Sequence, residues 1–174
     1  KLIGSDVSQS QWFGDAMRGR DVLVRPLEHD PLIHGFAVSF SMPLVLAEDA
    51  GRTIGVLSSR LNWSELFEIT NAVQVTKEGQ SALGYVALLD QSGYVISGPD
   101  FLMAQEDDDE EEALSNVNLA SLGYRSAASS LRGERGFATE TIPDGKRWLV
   151  GYAGSRGHRD FPGFGWAALV LQES

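Results

Sequence analysis

The chain has 174 residues, of which 43% are hydrophobic and 22% are charged, which is typical of a folded globular protein rather than a disordered or fibrous one. Its formal net charge is −10 and it contains no basic stripe, so the composition argues against nucleic-acid binding. Because cysteine is absent, disulfides and thiolate metal sites are excluded, and no apolar run approaches the about 20 residues of a membrane-spanning helix.

The first part of the chain predicts one short helix followed by a β-hairpin. Residues 5–19 read SDVSQSQWFGDAMRG, in which Ser or Asp precedes an apolar pair and Gly19 ends the pattern, as in a short capped helix. From Gly35 to Trp63, apolar and polar residues alternate in two runs that are joined by the turn sequence AEDAG. This pattern predicts two antiparallel strands.

A second helix and a second hairpin follow. The segment NWSELFEITNAV predicts a helix with Asn62 or Ser64 as its N-cap. Asn62 also begins a glycosylation sequon, but capping is the preferred interpretation. Residues 85–99, YVALLDQSGYVISGP, form two β-rich runs joined at 90–93, where Gly93 can adopt the positive φ of a tight turn.

The C-terminal part predicts a loop, a short helix, a third hairpin and a terminal strand. The acidic run EDDDEEE at 106–112 lacks the Gly and the ligand spacing of a calcium loop and is interpreted as a solvated loop. Residues 113–123 suggest a short helix, and residues 136–155 a hairpin that turns at Asp144 and Gly145. A loop rich in Gly and Pro then leads to a strand within residues 165–174.

No constellation typical of catalysis or of a metal site stands out. His29, Asp30 and His34 are close in sequence, but their spacing matches no zinc pattern and a proline intervenes, so a surface loop is favoured. The sequence has no Gly-x-Ser-x-Gly nucleophile elbow, and the glycines of GYAGSRG lack the Lys-Ser/Thr of a phosphate-binding loop. We therefore expect a protein that is not an enzyme and that uses no cofactor and no metal.

Several segments together resemble a double Cache sensor domain. GRTIGVLSSRLNWSELFEI is similar to the end of the membrane-distal half, and GYVALLDQSGYVISGPD to the first hairpin of the membrane-proximal half. The C-terminal strands with their Gly-Trp sequence are similar to the end of the proximal half. The resemblance implies an α+β fold of two PAS-like subdomains with antiparallel sheets: a distal one at 1–73, lacking its long N-terminal helix and first hairpin, and a proximal one at 74–174.

The same resemblance implies a function outside the cytoplasm. Such domains sense small molecules on the periplasmic face of the bacterial inner membrane, as parts of histidine kinases, chemoreceptors or diguanylate cyclases. The full-length protein would be tethered to the membrane, and a homodimer is one possible state. Two alternatives stay open: a small soluble α+β enzyme with a displaced acid–base pair in a cleft, and a PAS-like interaction domain whose interior is filled by Trp12, Phe13 and Phe40.

The resemblance also suggests where a ligand would bind. DVSQSQWFGDAMRGR is similar to the segment that carries an aromatic pair beside the ligand pocket. In amino-acid-binding members an Arg precedes this pair by two residues and an Asp follows Gly-Val on a strand, whereas Ser10 and Arg60 hold those positions here. Because Arg binds carboxylates and Asp binds ammonium groups, the exchange argues against an ordinary α-amino acid, and an inward Arg60 would favour a carboxylate.

Five residues are therefore candidates for ligand binding: Trp12, Phe13, Ser39, Ser41 and Arg60. Each has a structural alternative. The aromatic pair fits a packed core about equally well, and the residues alone favour solvent-exposed positions for the two serines and the arginine.

Overall fold

The computed structural model describes residues 3–47, 51–72, 84–103, 115–142, 144–159 and 161–174. The described chain divides into two compact units, 1–66 and 67–174. Within it lie α1 Gln11–Arg18, β1 Leu23–Asp30, β2 Gly35–Val45, β3 Thr53–Asn62, α2 Trp63–Ala72, β4 Gly84–Leu89, β5 Val95–Ser97, a 3-10 turn Asp100–Leu102, α3 Arg125–Leu131, β6 Arg135–Thr141, β7 Arg147–Gly154 and β8 Ala167–Glu173. The α+β class with antiparallel sheets is confirmed.

Several sequence predictions fall wholly or partly on residues outside this description, one of which is the turn sequence AEDAG, where residues 48–50 are not described. The predicted boundary between residues 73 and 74 lies there and stays a prediction, as does the solvated loop at 106–112. None of the helices in the described ranges combines the length and the apolar character needed to cross a membrane.

The first unit contains a three-stranded antiparallel sheet in the order β1-β2-β3. The predicted hairpin is present as β2 and β3, but β1 was not predicted because Pro26 interrupts its pattern. Proline cannot donate a ladder hydrogen bond and is tolerated on edge strands and at bulges. β1 meets both conditions, since it is an edge strand and its register shifts between Arg25 and Glu28.

The two faces of this sheet differ in chemistry. On β2 and β3, Ser39 lies opposite Arg60 and Ser41 opposite Ser58, so these polar residues share one face. Trp12 of helix α1 contacts Arg60, which shows that the helix lies over that face. Four apolar side chains of β2 and β3 on the opposite face are exposed: Met42, Leu44, Leu57 and Leu61.

Helix α2 begins where the sequence predicted. The side-chain Oδ1 of Asn62 accepts hydrogen bonds from the backbone N–H of Ser64 (3.1 Å) and from its hydroxyl (2.9 Å). Ser64 is the second residue of the helix, so Asn62 satisfies one of the amides that a helix N-terminus leaves unpaired. The capping interpretation of the Asn-Trp-Ser sequence is therefore confirmed.

The second unit contains a five-stranded antiparallel sheet in the order β5-β4-β8-β7-β6. The hairpins β4–β5 and β6–β7 and the terminal strand β8 match the sequence predictions. Helix α3 packs on one face of this sheet, over a core of fully buried side chains. The core comprises Ala87, Leu89, Val95, Leu102, Leu119, Ala127, Ile142, Trp148, Val150, Ala167, Leu169 and Leu171.

The helix predicted over residues 113–123 is wrong in its described part, which forms turns. The backbone N–H of Val95 donates to the Val117 carbonyl (2.9 Å), and that of Leu119 donates to the Gly93 carbonyl (3.0 Å). The first part of this segment is therefore paired with the β4–β5 hairpin, and its last part closes in turns, in which the N–H of Leu122 donates to the Asn118 carbonyl and that of Gly123 to the Ala120 carbonyl. The helix of this region is α3, which begins after it.

Gly93 in the β4–β5 turn allows a specific prediction. Its φ is +93°, and a Cβ added there would lie 2.6 Å from the Ala120 Cβ. We expect Gly93→Ala to lower the free energy of unfolding by about 2 kcal/mol or more, because left-handed strain and a steric clash add. Gly145→Ala is the matched control, since Gly145 has φ +78° but open space around its Cβ. If urea denaturation shows that Gly93→Ala and Gly145→Ala lose the same free energy of unfolding, the steric clash at Gly93 is absent.

Candidate functional site

A cluster of buried and half-buried polar side chains lies beneath α1 on the sheet of the first unit. This polar cluster consists of Asp30, Ser39, Ser41, Ser58 and Arg60. Ser39 is 4% exposed, Ser41 is 2% exposed and the side chain of Arg60 is 12% exposed. The solvent-exposed positions favoured from the residues alone are therefore wrong, because α1 covers this face of the sheet.

A buried ion pair forms the centre of the polar cluster. Arg60 Nε donates to Asp30 Oδ2 at 2.7 Å, and the Asp30 side chain is only 6% exposed. The second oxygen, Oδ1, accepts a hydrogen bond from the Leu32 backbone N–H (2.8 Å). Both carboxylate oxygens are thus satisfied, which offsets part of the cost of burying the charge.

Asp30 corrects the expectation of a surface loop around residues 29–34. It is the last residue of β1 and is buried, while His29 and His34 on either side of it are exposed. Among the described residues, no group of three or more His, Cys, Asp and Glu side chains is placed to hold a metal ion. The side-chain partner of Asp30 in this structure is Arg60.

Hydroxyl groups extend the ion pair along the sheet. Arg60 Nη1 donates to Ser58 Oγ at 3.1 Å, and Ser58 Oγ lies 2.8 Å from Ser41 Oγ, where either hydroxyl can donate. Ser39 lies directly between Arg60 on β3 and Arg25 on β1 in the ladder. Within the described residues, Asp30 and Ser58 accept from two of the five N–H groups that a guanidinium offers.

The aromatic pair of α1 covers the guanidinium. The Trp12 ring centroid lies 5.0 Å from Arg60 Cζ, within the range of a cation–π interaction. Phe13 contacts Trp12 edge-on, with ring centroids 5.8 Å apart and planes at 90°. Helix α1 presents these rings just after Ser10, which precedes the helix without a side-chain capping bond, and the helix ends before Gly19 as predicted.

The structure thus places Trp12 in contact with Arg60 and Ser39 opposite Arg60 in the sheet. Ser41 is linked to Arg60 through Ser58, and Phe13 lies against Trp12. Two further members of the polar cluster were not among the candidates: Asp30 and Ser58. The sequence did contain a signal for Ser58, because the period-two pattern through Val56 continues through Ser58 to Arg60. For Asp30 no local signal exists, since its partner is 30 residues away.

The polar cluster has the chemical features of a recognition site for a small polar molecule. It combines a cation, an anion, hydroxyls that can donate or accept, and an indole face. Small-molecule sites use a few convergent polar groups beside aromatic surface in this way. Removal of these groups from water strengthens each of their electrostatic contacts.

Neither a family model nor a curated protein matches the chain. Solved structures do match. The ligand-binding domain of the Campylobacter jejuni chemoreceptor Tlp3, in complex with 4-methylisoleucine, superposes with a TM-score of 0.60 at 14% identity, over 98% of this chain and 54% of that one. The ligand-binding domain of the Pseudomonas fluorescens chemoreceptor CtaA, in complex with L-alanine, superposes with a TM-score of 0.56 at 18% identity. The match covers 98% of this chain and 63% of that one.

The chain therefore spans a little over half to somewhat under two thirds of the chains that it matches. It has the fold of chemoreceptor ligand-binding domains, so the fold implied by the sequence resemblance is confirmed. At these identities the likeness concerns the fold.

Proposed function

We propose that this chain is the small-molecule sensing domain of a bacterial transmembrane signalling receptor and that it works on the extracytoplasmic side of the inner membrane. The fold, shared with chemoreceptor ligand-binding domains over 98% of the chain, supports this proposal. The observation that carries it is the buried Asp30–Arg60 pair beneath Trp12. Replacement of a buried ion pair by hydrophobic residues of similar volume is often neutral or stabilising, so a contribution to stability does not account for this pair, and recognition is the role proposed for it.

The polar cluster is the proposed ligand site, and a small carboxylate is the proposed ligand class. Arg60 provides the planar donors that bind carboxylates, and the Ser41 and Ser58 hydroxyls can accept or donate to further polar groups. Trp12 and Phe13 would pack against the apolar part of the ligand. Tlp3 and CtaA have been solved with amino acids such as 4-methylisoleucine and L-alanine. Ser10 stands where amino-acid-binding members have Arg, and Arg60 stands where they have Asp. The absence of the ammonium-binding Asp favours a carboxylate that has no α-ammonium group.

Signalling would follow from a shift in population. A ligand that binds one conformation of the first unit more tightly than another biases the receptor toward that conformation. The bias would then reach the membrane helices and the output domain, which is that of a histidine kinase, a chemoreceptor or a diguanylate cyclase. Membrane tethering and a homodimeric state of the whole receptor belong to the same proposal.

Two other functions compete with this one. A small soluble enzyme would turn over its substrate, and a ligand-free interaction domain would bind no small molecule at all. A thermal-shift screen against small carboxylates, amines, purines and sugars separates a ligand-binding protein from a ligand-free one, and chemical conversion of a stabilising compound would identify an enzyme. A ligand at 100 times its Kd stabilises the folded state by about 2.7 kcal/mol, which corresponds to roughly 5–10 °C in Tm for a chain of this size.

Substitution of Trp12 tests where the ligand binds. We expect Trp12→Leu to weaken the best compound of the screen about tenfold, because it removes the indole face beside Arg60 while keeping an apolar side chain. Phe137→Leu is the control, since Phe137 lies in the second unit and is 77% exposed. Isothermal titration calorimetry measures both. A compound that binds Trp12→Leu and the unmodified protein equally would place its site elsewhere.

A further inference from the structure

The Asp30 carboxylate binds Arg60 in a way that leaves much of the guanidinium available. Only Oδ2 contacts Arg60, through Nε, because Oδ1 is held by the Leu32 backbone N–H. The strongest Arg–carboxylate contacts are bidentate, with two parallel N–H···O bonds. The Asp30 contact is therefore weaker than the contact that a free carboxylate could make with the same guanidinium.

The hydrogen bond from Arg60 to Ser58 can also be replaced by one to a ligand at little cost in free energy. Nη1 donates to Ser58 Oγ over 3.1 Å, and Ser58 Oγ has a second hydroxyl partner in Ser41 at 2.8 Å. If a ligand oxygen took over Nη1, Ser58 would keep a hydrogen bond through Ser41. Loss of the Arg60 contact would therefore leave no buried hydroxyl unpaired, which is the costly outcome in a protein interior.

We propose that Asp30 is an internal competitor, which occupies the carboxylate position on Arg60 in the ligand-free protein and is displaced from it by the carboxylate of the ligand. This inference rests on the function proposed above and makes Asp30 a specificity-determining residue. The exchange replaces one negative charge on Arg60 by another, so the guanidinium never remains buried without a counter-charge. Ligands that make only one contact with Arg60 would not displace Asp30.

The position of Asp30 links this exchange to the backbone. Asp30 ends β1, Pro31 immediately after it is exposed, and the turn that follows leads directly into β2. The Asp30 carboxylate, once displaced from Arg60, can therefore turn toward the solvent that surrounds Pro31. Its Oδ1 can keep the hydrogen bond from the Leu32 backbone N–H during this movement. Occupancy of the site would thus be coupled to the turn that joins β1 and β2.

Chemical rescue tests the inference. Asp30→Ser removes Oδ2 but keeps a hydroxyl that can accept from the Leu32 N–H, as serine does in turns of this kind. We expect sodium acetate, but not sodium chloride at the same ionic strength, to raise the Tm of Asp30→Ser. Half of the effect should occur at an acetate concentration about tenfold or more below that needed by the unmodified protein, because the competitor is gone. Asp30→Asn serves as a second variant if Asp30→Ser does not fold.

The control is the double variant Asp30→Ser/Arg60→Leu, which keeps the change at position 30 but lacks the cation and should not respond to acetate. Two results would overturn the inference and leave the proposed function standing. One is an equal acetate response of Asp30→Ser and the unmodified protein. The other is that neither protein responds to acetate while a compound of the screen still binds. If no compound, acetate included, stabilises any of these proteins, both proposals fail.

Discussion

Replacement of Arg60 by Leu should lower the free energy of unfolding by up to about 3–5 kcal/mol, because the Asp30 carboxylate must either stay buried without its cation or leave its position for the exposed turn at Pro31. The hydrogen bond to Ser58 and the cation–π contact with Trp12 are lost in the same substitution. Urea denaturation followed by circular dichroism gives the change, which should appear as a lower midpoint with an unchanged slope.

Two controls accompany this variant. Arg18→Leu removes another arginine that pairs with an aspartate, Asp15, but the Arg18 side chain is 75% exposed, so we expect a change below about 1 kcal/mol. Asp30→Asn combined with Arg60→Leu should recover much of the loss, because the uncompensated carboxylate is removed. If Arg60→Leu costs no more than Arg18→Leu, the Asp30–Arg60 pair is not buried.

Trp148→Ala should destabilise the second unit by about 3–5 kcal/mol, the range for deletion of a fully buried aromatic side chain. Trp148 is 2% exposed and stacks on Phe101, with ring centroids 5.3 Å apart and planes at 23°. Tyr85 contacts it edge-on at 5.7 Å, and the indole N–H donates to the Asp144 carboxylate at 3.1 Å. The substitution therefore creates a cavity and also leaves Asp144 without this donor.

Phe137→Ala is the matched control on the same sheet, since its ring is 77% exposed and its loss should change stability by less than about 0.5 kcal/mol. Trp148→Phe should fall between the two, because it keeps much of the ring stacking but removes the N–H donor. Urea denaturation of the three variants would contradict this account of the core if Trp148→Ala and Phe137→Ala were equally stable.

The sequence was most informative where structure is set by local interactions. The β2–β3, β4–β5 and β6–β7 hairpins were predictable, because alternation defines each strand and short turn sequences such as that at Gly93 fix the connection. Where partners are distant in sequence, prediction failed. Strand β1 needs β2 to make Pro26 tolerable at an edge, and residues 115–123 pair with a hairpin that lies more than 20 residues earlier.

The same distinction applies to the candidate site. Trp12, Phe13 and Arg60 were found through residues that resemble a known pattern, but the burial of Ser39 and Ser41 depends on α1 docking on the sheet. That docking is a tertiary event that alternation on one strand cannot reveal. The Asp30–Arg60 pair joins residues 30 positions apart, so only the folded chain brings its two charges together.

The central claim, that the polar cluster binds a small carboxylate, is tested most directly by NMR. Titration with the best carboxylate of the screen should shift the Trp12 indole N–H and the Arg60 Nε–H signals along one saturable curve, while the Trp148 indole signal in the second unit stays in place. Saturation that leaves the Trp12 and Arg60 signals unmoved, or the absence of any shift with every carboxylate tested, would contradict the claim.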